Sequence, residues 1–177
     1  LDGRRFSRVL IDEATQATEP AALVPLVRGA RQIVLVGDHR QLPPTVISRR
    51  AKNGGLSRSL FERMVEVGIS PHLLRVQYRM HPAISVFPNE RFYNGRLEDG
   101  VEISDRITPA GLLWPDWECP IAFLPITGGE VRSPDGTSKE NPTEASWVAQ
   151  LLEGLMDGGE LWQDDIGIIT PYAGQVR

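Results

Sequence analysis

The sequence has a single cysteine, no long apolar run and no repeated or low-complexity segment. Cys119 cannot form a disulfide within the chain, and none of the three histidines stands at a metal-ligand spacing from it, which argues against a disulfide scaffold and a zinc-finger type of site. The apolar runs are only a few residues long, against the roughly 20 residues that a membrane-spanning helix needs. We therefore expect a globular protein of a reducing compartment, cytoplasmic or nuclear, without membrane association.

The chain also lacks an initiator methionine and a signal-like segment. It begins with Leu1, and Arg177 follows closely on an apolar run, so we interpret the sequence as an internal piece of a longer protein. Its 177 residues, 41% apolar and 24% charged, are enough for one ordinary domain or two small halves. This composition excludes a disordered tail, a coiled coil and a collagen-like repeat.

Charge is distributed unevenly along the chain. Residues 1–96 carry 15 Lys and Arg against 8 Asp and Glu, whereas residues 97–177 carry 4 against 15. Of the 19 cations 17 are arginine, the side chain that suits bidentate phosphate contacts. Codon bias in a GC-rich genome is the alternative explanation for this preference.

Four short apolar runs predict strands buried on both faces, as in parallel sheets: 9–11, 33–36, 121–124 and 166–169. Helix-like stretches lie between them. Ser59 and Glu62 fit a capping box before a helix that stops at Gly68, and Asn141 precedes Pro142 and Glu144 at the start of another. The apolar side chains expected to be buried by that second helix are Ala145, Val148, Ala149, Leu152, Leu155 and Met156. Alternating strands and helices predict an α/β fold.

Acidic residues follow the first apolar run directly, at Asp12 and Glu13. Ligands of open parallel sheets bind beyond the carboxyl ends of the strands. Two carboxylates at that position supply what a metal–phosphate site needs, one to hold Mg²⁺ and one to orient an attacking water. The alternative is that both acids merely cap the next helix.

Two further segments carry polar side chains in a constrained backbone. The segment GDHRQLPP at 37–44 follows the second apolar run, and its glycine turn and two prolines can hold Gln41 toward a phosphate. A turn chosen only for glycine and proline explains the backbone but not the row of polar residues. The segment QYRMHP at 77–82 offers Arg79 as a second phosphate ligand, with an ordinary salt-bridging arginine as the alternative. A new helix pattern starts after Pro82, and we place a domain boundary near residues 74–79.

These segments together resemble the motifs of superfamily 1B helicases, in the branch of the nonsense-mediated-decay RNA helicase and senataxin. The resemblance covers nearly the whole chain, with the motifs in the family's order. It is carried by DEATQATEP at 12–20, GDHRQLPP at 37–44, QYRMHP at 77–82, NPTEA at 141–145 and IGIITPY at 166–172.

The resemblance implies parts of two RecA-like domains with parallel sheets, the core of a P-loop NTPase helicase. Residues 1–75 would form the C-terminal half of the first domain, and residues 76–177 the N-terminal part of the second. The implied activity is ATP-dependent movement on single-stranded nucleic acid, with RNA favoured over DNA. The implied cofactors are ATP and Mg²⁺, and the remainder of the helicase chain is an implied partner.

The resemblance also assigns roles residue by residue. Asp12 would hold Mg²⁺, and Glu13 would position and polarise the attacking water. Gln41 would contact the γ-phosphate, and Arg79 would reach it from the second RecA-like domain. The remaining assignments are nucleotide contacts by Gln16 and Tyr78, the latter packing on the adenine, and nucleic-acid contacts by Thr170 and Tyr172.

One departure from the family pattern concerns the phosphate-cradling loop, because no G-x-x-x-x-G-K-[ST] segment is present. We therefore expect the 177 residues alone to be inactive and the longer protein to be the ATPase. Two rival functions stay open from the sequence, namely a DNA helicase of the same architecture and a non-hydrolysing scaffold. The retention of Asp12, Glu13, Gln41 and Arg79 argues against the scaffold.

Overall fold

A computed structural model describes residues 3–176. The chain divides into two compact units, Leu1–Leu73 and Leu74–Arg177, and each is described by itself. The first unit contains, in order, β1 (Arg8–Ile11), α1 (Glu19–Leu26), β2 (Gln32–Leu35), α2 (Arg49–Asn53) and α3 (Leu60–Glu66). The second contains β3 (Val76–Gln77), α4 (Pro82–Tyr93), β4 (Glu98–Asp99), β5 (Val131–Arg132), β6 (Lys139–Glu140) and α5 (Pro142–Asp157). Single 3₁₀ turns lie at Ile103–Asp105 and Gln163–Asp165.

The first unit is built on the parallel pair β1–β2, in which Leu10 is opposite Val34 and Ile11 is opposite Leu35. The first two predicted strands are therefore confirmed. Their predicted burial is wrong, because Leu10 and Val34 are 67% and 53% exposed. Within residues 3–176 this sheet has two strands. Helix α1 packs on β1, but with eight residues it leaves much of the sheet surface exposed to solvent.

The predicted strands at 121–124 and 166–169 are not formed. Phe123 and Ile169 are instead 88% and 97% exposed on irregular backbone. Pro120 and Pro125 flank the first of these runs, and Pro171 follows the second after one residue; proline cannot donate a hydrogen bond to a strand ladder. The second unit therefore has only small sheets in its described residues: β3 and β4 pair in parallel, and β5 and β6 pair antiparallel.

The helix starts predicted from capping residues are confirmed. Ser59 Oγ accepts the Glu62 N–H at 3.1 Å, and Asn141 Oδ1 accepts the N–H groups of Thr143 and Glu144 at 3.1 and 3.2 Å. Each bond satisfies a donor that the first helical turn leaves unpaired. The helix expected after Pro82 is α4, which His81 caps through Nδ1.

The predicted core face of α5 is wrong, because no residue of this helix is buried. Ala145, Ala149 and Met156 are exposed, and Val148, Leu152 and Leu155 are only partly covered. Neither 121–124 nor 166–169 forms a strand, so the described part of the second unit offers only two-stranded sheets of two residues per strand for this helix to pack on. Among residues 3–176 the buried hydrophobic side chains lie in the first unit: Ala14 just after β1, Ala22 within α1 and Leu60 at the start of α3.

No helix among residues 3–176 is long and apolar enough to span a membrane.

Candidate functional site

The carboxylate pair lies in a tight turn at the carboxyl end of β1. Glu13 has φ +49°, in the left-handed region that non-glycine residues seldom adopt. Asp12 Oδ1 accepts the Glu13 N–H at 3.0 Å, and the Ala14 N–H donates to the Val36 carbonyl at 2.8 Å. The turn is therefore held from both sides, and both carboxylates are exposed to solvent. Such a strained backbone is typical of functional sites.

Gln16 orients the Glu13 carboxylate. Its Nε2 donates to Glu13 Oε2 at 3.0 Å, and its backbone N–H donates to the Glu13 carbonyl at 2.9 Å. One oxygen of Glu13 is thus fixed by an amide donor. The Glu13 carboxylate is therefore held in place at the end of the strand while it stays exposed to solvent.

Asp38 organises the loop that follows β2. Its Oδ1 accepts the Arg40 N–H at 2.9 Å, and its Oδ2 accepts Gln41 Nε2 at 2.8 Å. The Gln41 N–H also donates to the Asp38 carbonyl at 3.1 Å. Pro44 is buried, which anchors the far end of the loop. The Gln41 side chain is exposed but has a defined direction.

These two loops contact each other where Gly37 meets Thr15, a buried residue that is 4% exposed. The structure therefore brings Asp12, Glu13, Gln16 and Gln41 to one edge of the β1–β2 sheet, at the carboxyl ends of both strands. Phosphate-binding sites of parallel sheets lie at this edge.

The donor set at this edge fits Mg²⁺. Asp12 offers a solvent-exposed carboxylate, of which Oδ1 accepts one backbone hydrogen bond. No group of three or more His, Cys, Asp or Glu side chains among the described residues could form an all-protein metal cage. Mg²⁺ in nucleotide sites is commonly held by one or two carboxylates together with the phosphates, so a single aspartate is sufficient on the protein side.

The loop that carries Asp12 and Glu13, here called the carboxylate loop, runs from residue 12 to Glu19, the first residue of α1. Arg63 of α3 binds the Glu19 carboxylate. Arg63 Nε donates to both oxygens at 2.8 and 3.0 Å, and Nη2 donates to Oε1 at 2.5 Å. Hydrogen bonding from this guanidinium lowers the pKa of Glu19, and the same bond raises the pKa of Arg63. Sequence reasoning missed this pair, whose members are 44 residues apart.

In the second unit, Gln77 shapes the turn that presents Tyr78 and Arg79. Gln77 Oε1 accepts the N–H groups of Arg79 and Met80 at 2.9 and 2.7 Å. Its Nε2 donates to Asp99 Oδ1 at 2.6 Å, and Asp99 Oδ1 also accepts Ser85 Oγ at 2.7 Å. A network linking β3, α4 and β4 therefore fixes the backbone at Arg79.

Arg106 supports the same turn by donating to the carbonyls of Tyr78 at 2.7 Å and Arg79 at 3.1 Å. Tyr78 is 66% exposed, and its ring covers Gly100. The Arg79 side chain is exposed, and among residues 3–176 it takes part in no ion pair. Sequence reasoning missed Asp99 and Arg106, because the acidic stretch that contains them has no periodic pattern.

Thr170 and Tyr172 form a separate group in the second unit. The Tyr172 N–H donates to Thr170 Oγ1 at 3.3 Å, and Tyr172 is 42% exposed. Gln175 ties this segment to the cap of α5, because its side chain accepts the Asn141 N–H at 2.6 Å and donates to the Asn141 carbonyl at 3.1 Å. Sequence reasoning missed this contact of Gln175 as well.

Comparison with known proteins identifies the family. Two family models, both described as AAA domain, match residues 1–49 and 56–177. The chain is 49% identical over 99% of its length to a regulator of nonsense transcripts 1 homolog from Arabidopsis thaliana, and 51% identical over 97% to regulator of nonsense transcripts 1 from Caenorhabditis elegans. It is 45% identical over 97% of its length to the ATP-dependent helicase NAM7 from Saccharomyces cerevisiae.

The chain spans 14%, 16% and 18% of the lengths of these three relatives. The match to residues 56–177 alone covers more than half of the chain. AAA domains of this kind have a P-loop NTPase fold, with which the mixed α/β structure and its small parallel sheets are compatible. The chain therefore belongs to the AAA-domain family, and along nearly its whole length it is similar to the regulators of nonsense transcripts and the ATP-dependent helicase named above.

Proposed function

We propose that this chain is the central part of an ATP-dependent helicase that couples ATP hydrolysis to movement along single-stranded nucleic acid, RNA in preference to DNA. The observation that carries the proposal is the edge of the β1–β2 sheet, where Asp12 and Glu13 lie beside the Gly37–Gln41 loop. The relatives are named as regulators of nonsense transcripts and as an ATP-dependent helicase, which supports both the activity and the preference for RNA.

In this proposal the first unit performs the hydrolytic chemistry. Asp12 holds Mg²⁺, which neutralises phosphate charge when bound. Glu13, directed by Gln16, positions the attacking water and polarises it. Gln41, directed by Asp38, donates a hydrogen bond to the γ-phosphate, so that the conformation of the loop depends on whether the phosphate is present. Phosphoryl transfer passes through a loose transition state, so positioning and charge supply most of the catalysis.

The second unit contributes the remaining contacts of the proposed reaction. Arg79 adds positive charge at the γ-phosphate, a contribution worth on the order of 10³ to 10⁵ in rate for arginines of this kind. The exposed ring of Tyr78 packs on the adenine. Thr170 and Tyr172 contact the nucleic-acid strand. We assign the two units to the C-terminal half of one RecA-like domain and the N-terminal part of a second.

We further propose that this chain works together with the rest of a longer helicase, in the cytoplasm or the nucleus. The 177 residues contain no G-x-x-x-x-G-K-[ST] loop, and that loop supplies the backbone donors and the lysine that hold the β- and γ-phosphates. Purified on its own, the 177-residue chain should therefore show no ATP turnover above background.

The test uses the full-length protein and Glu13→Gln. The amide can still accept a hydrogen bond from Gln16, but it cannot polarise water as a carboxylate does, so nucleotide affinity should be retained while hydrolysis falls by about 10² to 10⁴. Steady-state ATPase and binding of a fluorescent ATP analogue separate the two effects. The matched control is Glu90→Gln, which removes one negative charge by the same substitution at an exposed position on α4.

Three results would contradict the proposal. Wild-type protein without ATPase activity would favour a non-hydrolysing scaffold. Loss of binding and hydrolysis together in Glu13→Gln would mean that Glu13 is structural. Stimulation by single-stranded DNA that exceeds stimulation by RNA of the same length would favour the DNA helicase.

A further inference from the structure

Helix α3 contacts the carboxylate loop through Arg63. The guanidinium makes three hydrogen bonds to Glu19, and the two side chains are 34% and 24% exposed. The neighbouring ion pair Arg58–Glu66 has one hydrogen bond of 2.9 Å, with both side chains 49% exposed. An arginine that binds both oxygens of a partly buried carboxylate restricts the relative position of the two side chains, whereas an exposed ion pair with one hydrogen bond does not.

The same helix also contacts the Gly37–Gln41 loop. The Phe61 ring stacks on His39 with centroids 5.9 Å apart and ring planes at 23°. His39 lies between Asp38 and Arg40. The Asp38 carboxylate accepts hydrogen bonds from the Arg40 N–H and from Gln41 Nε2, and these bonds direct Gln41. One short helix therefore touches both loops that meet at the edge of the β1–β2 sheet.

The start of α3 is itself firmly held. Ser59 is 1% exposed and caps the helix, and Leu60 is 7% exposed. The backbone from which the Arg63 side chain extends is therefore held in a fixed position. Glu19, its partner, stands at the first position of α1, so the segment 12–18 is fixed by β1 at one end and by Arg63 at the other.

We propose that α3 positions the hydrolytic residues, with Arg63 holding the Asp12–Glu19 loop and Phe61 holding the Gly37–Gln41 loop. Neither side chain is assigned a contact with the nucleotide, so both act through the loops. The role in hydrolysis rests on the proposed function, whereas the hold on the loops does not. Misplacement of a catalytic group by about 1 Å can cost on the order of 10²-fold in rate.

The first test measures loop order without reference to activity. Hydrogen exchange of the full-length protein, followed by mass spectrometry, should show amide exchange of residues 12–18 at least about tenfold faster in Arg63→Gln, since release of the loop end exposes its amides. Phe61→Leu, which keeps an apolar side chain, should accelerate amide exchange of residues 37–42 more than that of residues 12–18, which contact the 37–42 loop at Thr15. The matched control Glu66→Gln removes the exposed ion pair of α3 and should change neither segment.

The second test measures catalysis in the same proteins. In Arg63→Gln, kcat for ATP should fall by about 10- to 100-fold with KM changed less than about threefold, because Arg63 binds no nucleotide. Arg63→Lys restores the charge but not the fork, so its kcat should lie between those of Arg63→Gln and the wild type. A merely structural role would reduce the active fraction, measured by nucleotide-binding stoichiometry, and would leave kcat per bound nucleotide unchanged.

The outcomes separate the two proposals. Unchanged exchange at 12–18 in Arg63→Gln would overturn the positioning role whether or not the protein hydrolyses ATP. Faster exchange with wild-type kcat per bound nucleotide would overturn the link to catalysis. Faster exchange in a protein whose wild type lacks ATPase activity would refute the proposed function while supporting the hold of Arg63 on the loop.

Discussion

Gly37 lies so close to Thr15 that a β-carbon built on Gly37 would be 3.0 Å from the Thr15 backbone nitrogen and 3.0 Å from its hydroxyl oxygen. Thr15 is buried, and its backbone belongs to the turn that carries the carboxylate pair. The contact is therefore the point at which the two loops of the site determine each other's position.

Gly37→Ala should force the two loops apart. Overpacking of a buried contact costs about 1 to 3 kcal/mol, and the neighbouring backbone atom cannot rotate away as a side chain would. Urea unfolding should show a lower midpoint with an unchanged slope. Gly167→Ala is the control, because no atom lies within 4 Å of a β-carbon at that position. Equal midpoints for both variants would contradict the close contact.

The Glu19–Arg63 pair should make stability depend on acid pH. Because Arg63 lowers the pKa of Glu19 in the folded protein, the stabilisation is fully present above the unfolded pKa, near 4.5, and is lost as pH falls through the folded pKa. As the pH falls below that value, the free energy of unfolding should therefore decrease less in Glu19→Gln than in the wild type. Denaturant titrations at several pH values measure this difference. Parallel curves for Glu19→Gln and the wild type would contradict the pair's contribution.

Asp99 should contribute more to stability than its neighbour Glu98. Asp99→Ala removes the charged acceptor of Gln77 Nε2 and of the Oγ of the buried Ser85 and leaves each donor only a backbone carbonyl, a loss of about 2 kcal/mol for hydrogen bonds to a charged group. Glu98→Ala breaks an ion pair with Arg75 in which both side chains are more than half exposed, worth about 0 to 1 kcal/mol. Unfolding curves of the two variants measure the contrast, and equal losses would contradict the network.

Local signals in the sequence predicted the parts of the fold that local interactions determine. The cap at Asn141 is an interaction between residues two and three apart, and both strands of the β1–β2 sheet were predicted from their apolar runs. The runs at 121–124 and 166–169 are also short and apolar, but whether a run forms a strand depends on a partner distant in the sequence as well as on its own residues. Composition contains no information about that partner.

The site was predictable to the same extent. Asp12 and Glu13 follow the first apolar run directly, and Gln41 lies in the loop that follows the second, so the order of residues predicted their common edge. The residues that hold them were not predictable, because Arg63 and Glu19 are 44 residues apart and Asp99 and Gln77 are 22 apart. Contacts of that kind arise from tertiary packing, for which a single sequence has no local signature.

Asp12→Ala should reduce the dependence of nucleotide binding on Mg²⁺ in the full-length protein. The wild type should bind ATP more tightly with Mg²⁺ than with EDTA, and removal of the protein ligand should shrink that difference by about tenfold, equivalent to about 1.4 kcal/mol. Fluorescent-analogue titrations with and without the cation measure it. Asp157→Ala, an exposed position on α5, is the control for loss of one negative charge. A wild type that binds equally well in both conditions would refute the role of Asp12.

Arg79→Ala tests whether the second unit takes part in hydrolysis. The Arg79 backbone is fixed by Gln77 and Arg106, whereas its exposed guanidinium makes no ion pair among residues 3–176. A charge that stabilises the transferring γ-phosphate is of little use to bound ADP. The substitution should therefore lower kcat by about 10³-fold or more, with ADP affinity changed only slightly.

Nucleic acid should also stimulate the Arg79→Ala protein poorly, if stimulation works by completing the site around the γ-phosphate. ATPase assays with and without single-stranded RNA, together with melting curves, test this against the alternative of a surface arginine worth about 0 to 1 kcal/mol of stability. Arg91→Ala, at an exposed position on α4, is the matched control and should keep full stimulation. Stimulated turnover close to the wild-type rate in Arg79→Ala would show that Arg79 is not catalytic, and the proposed hydrolytic site would then need another source of positive charge at the γ-phosphate.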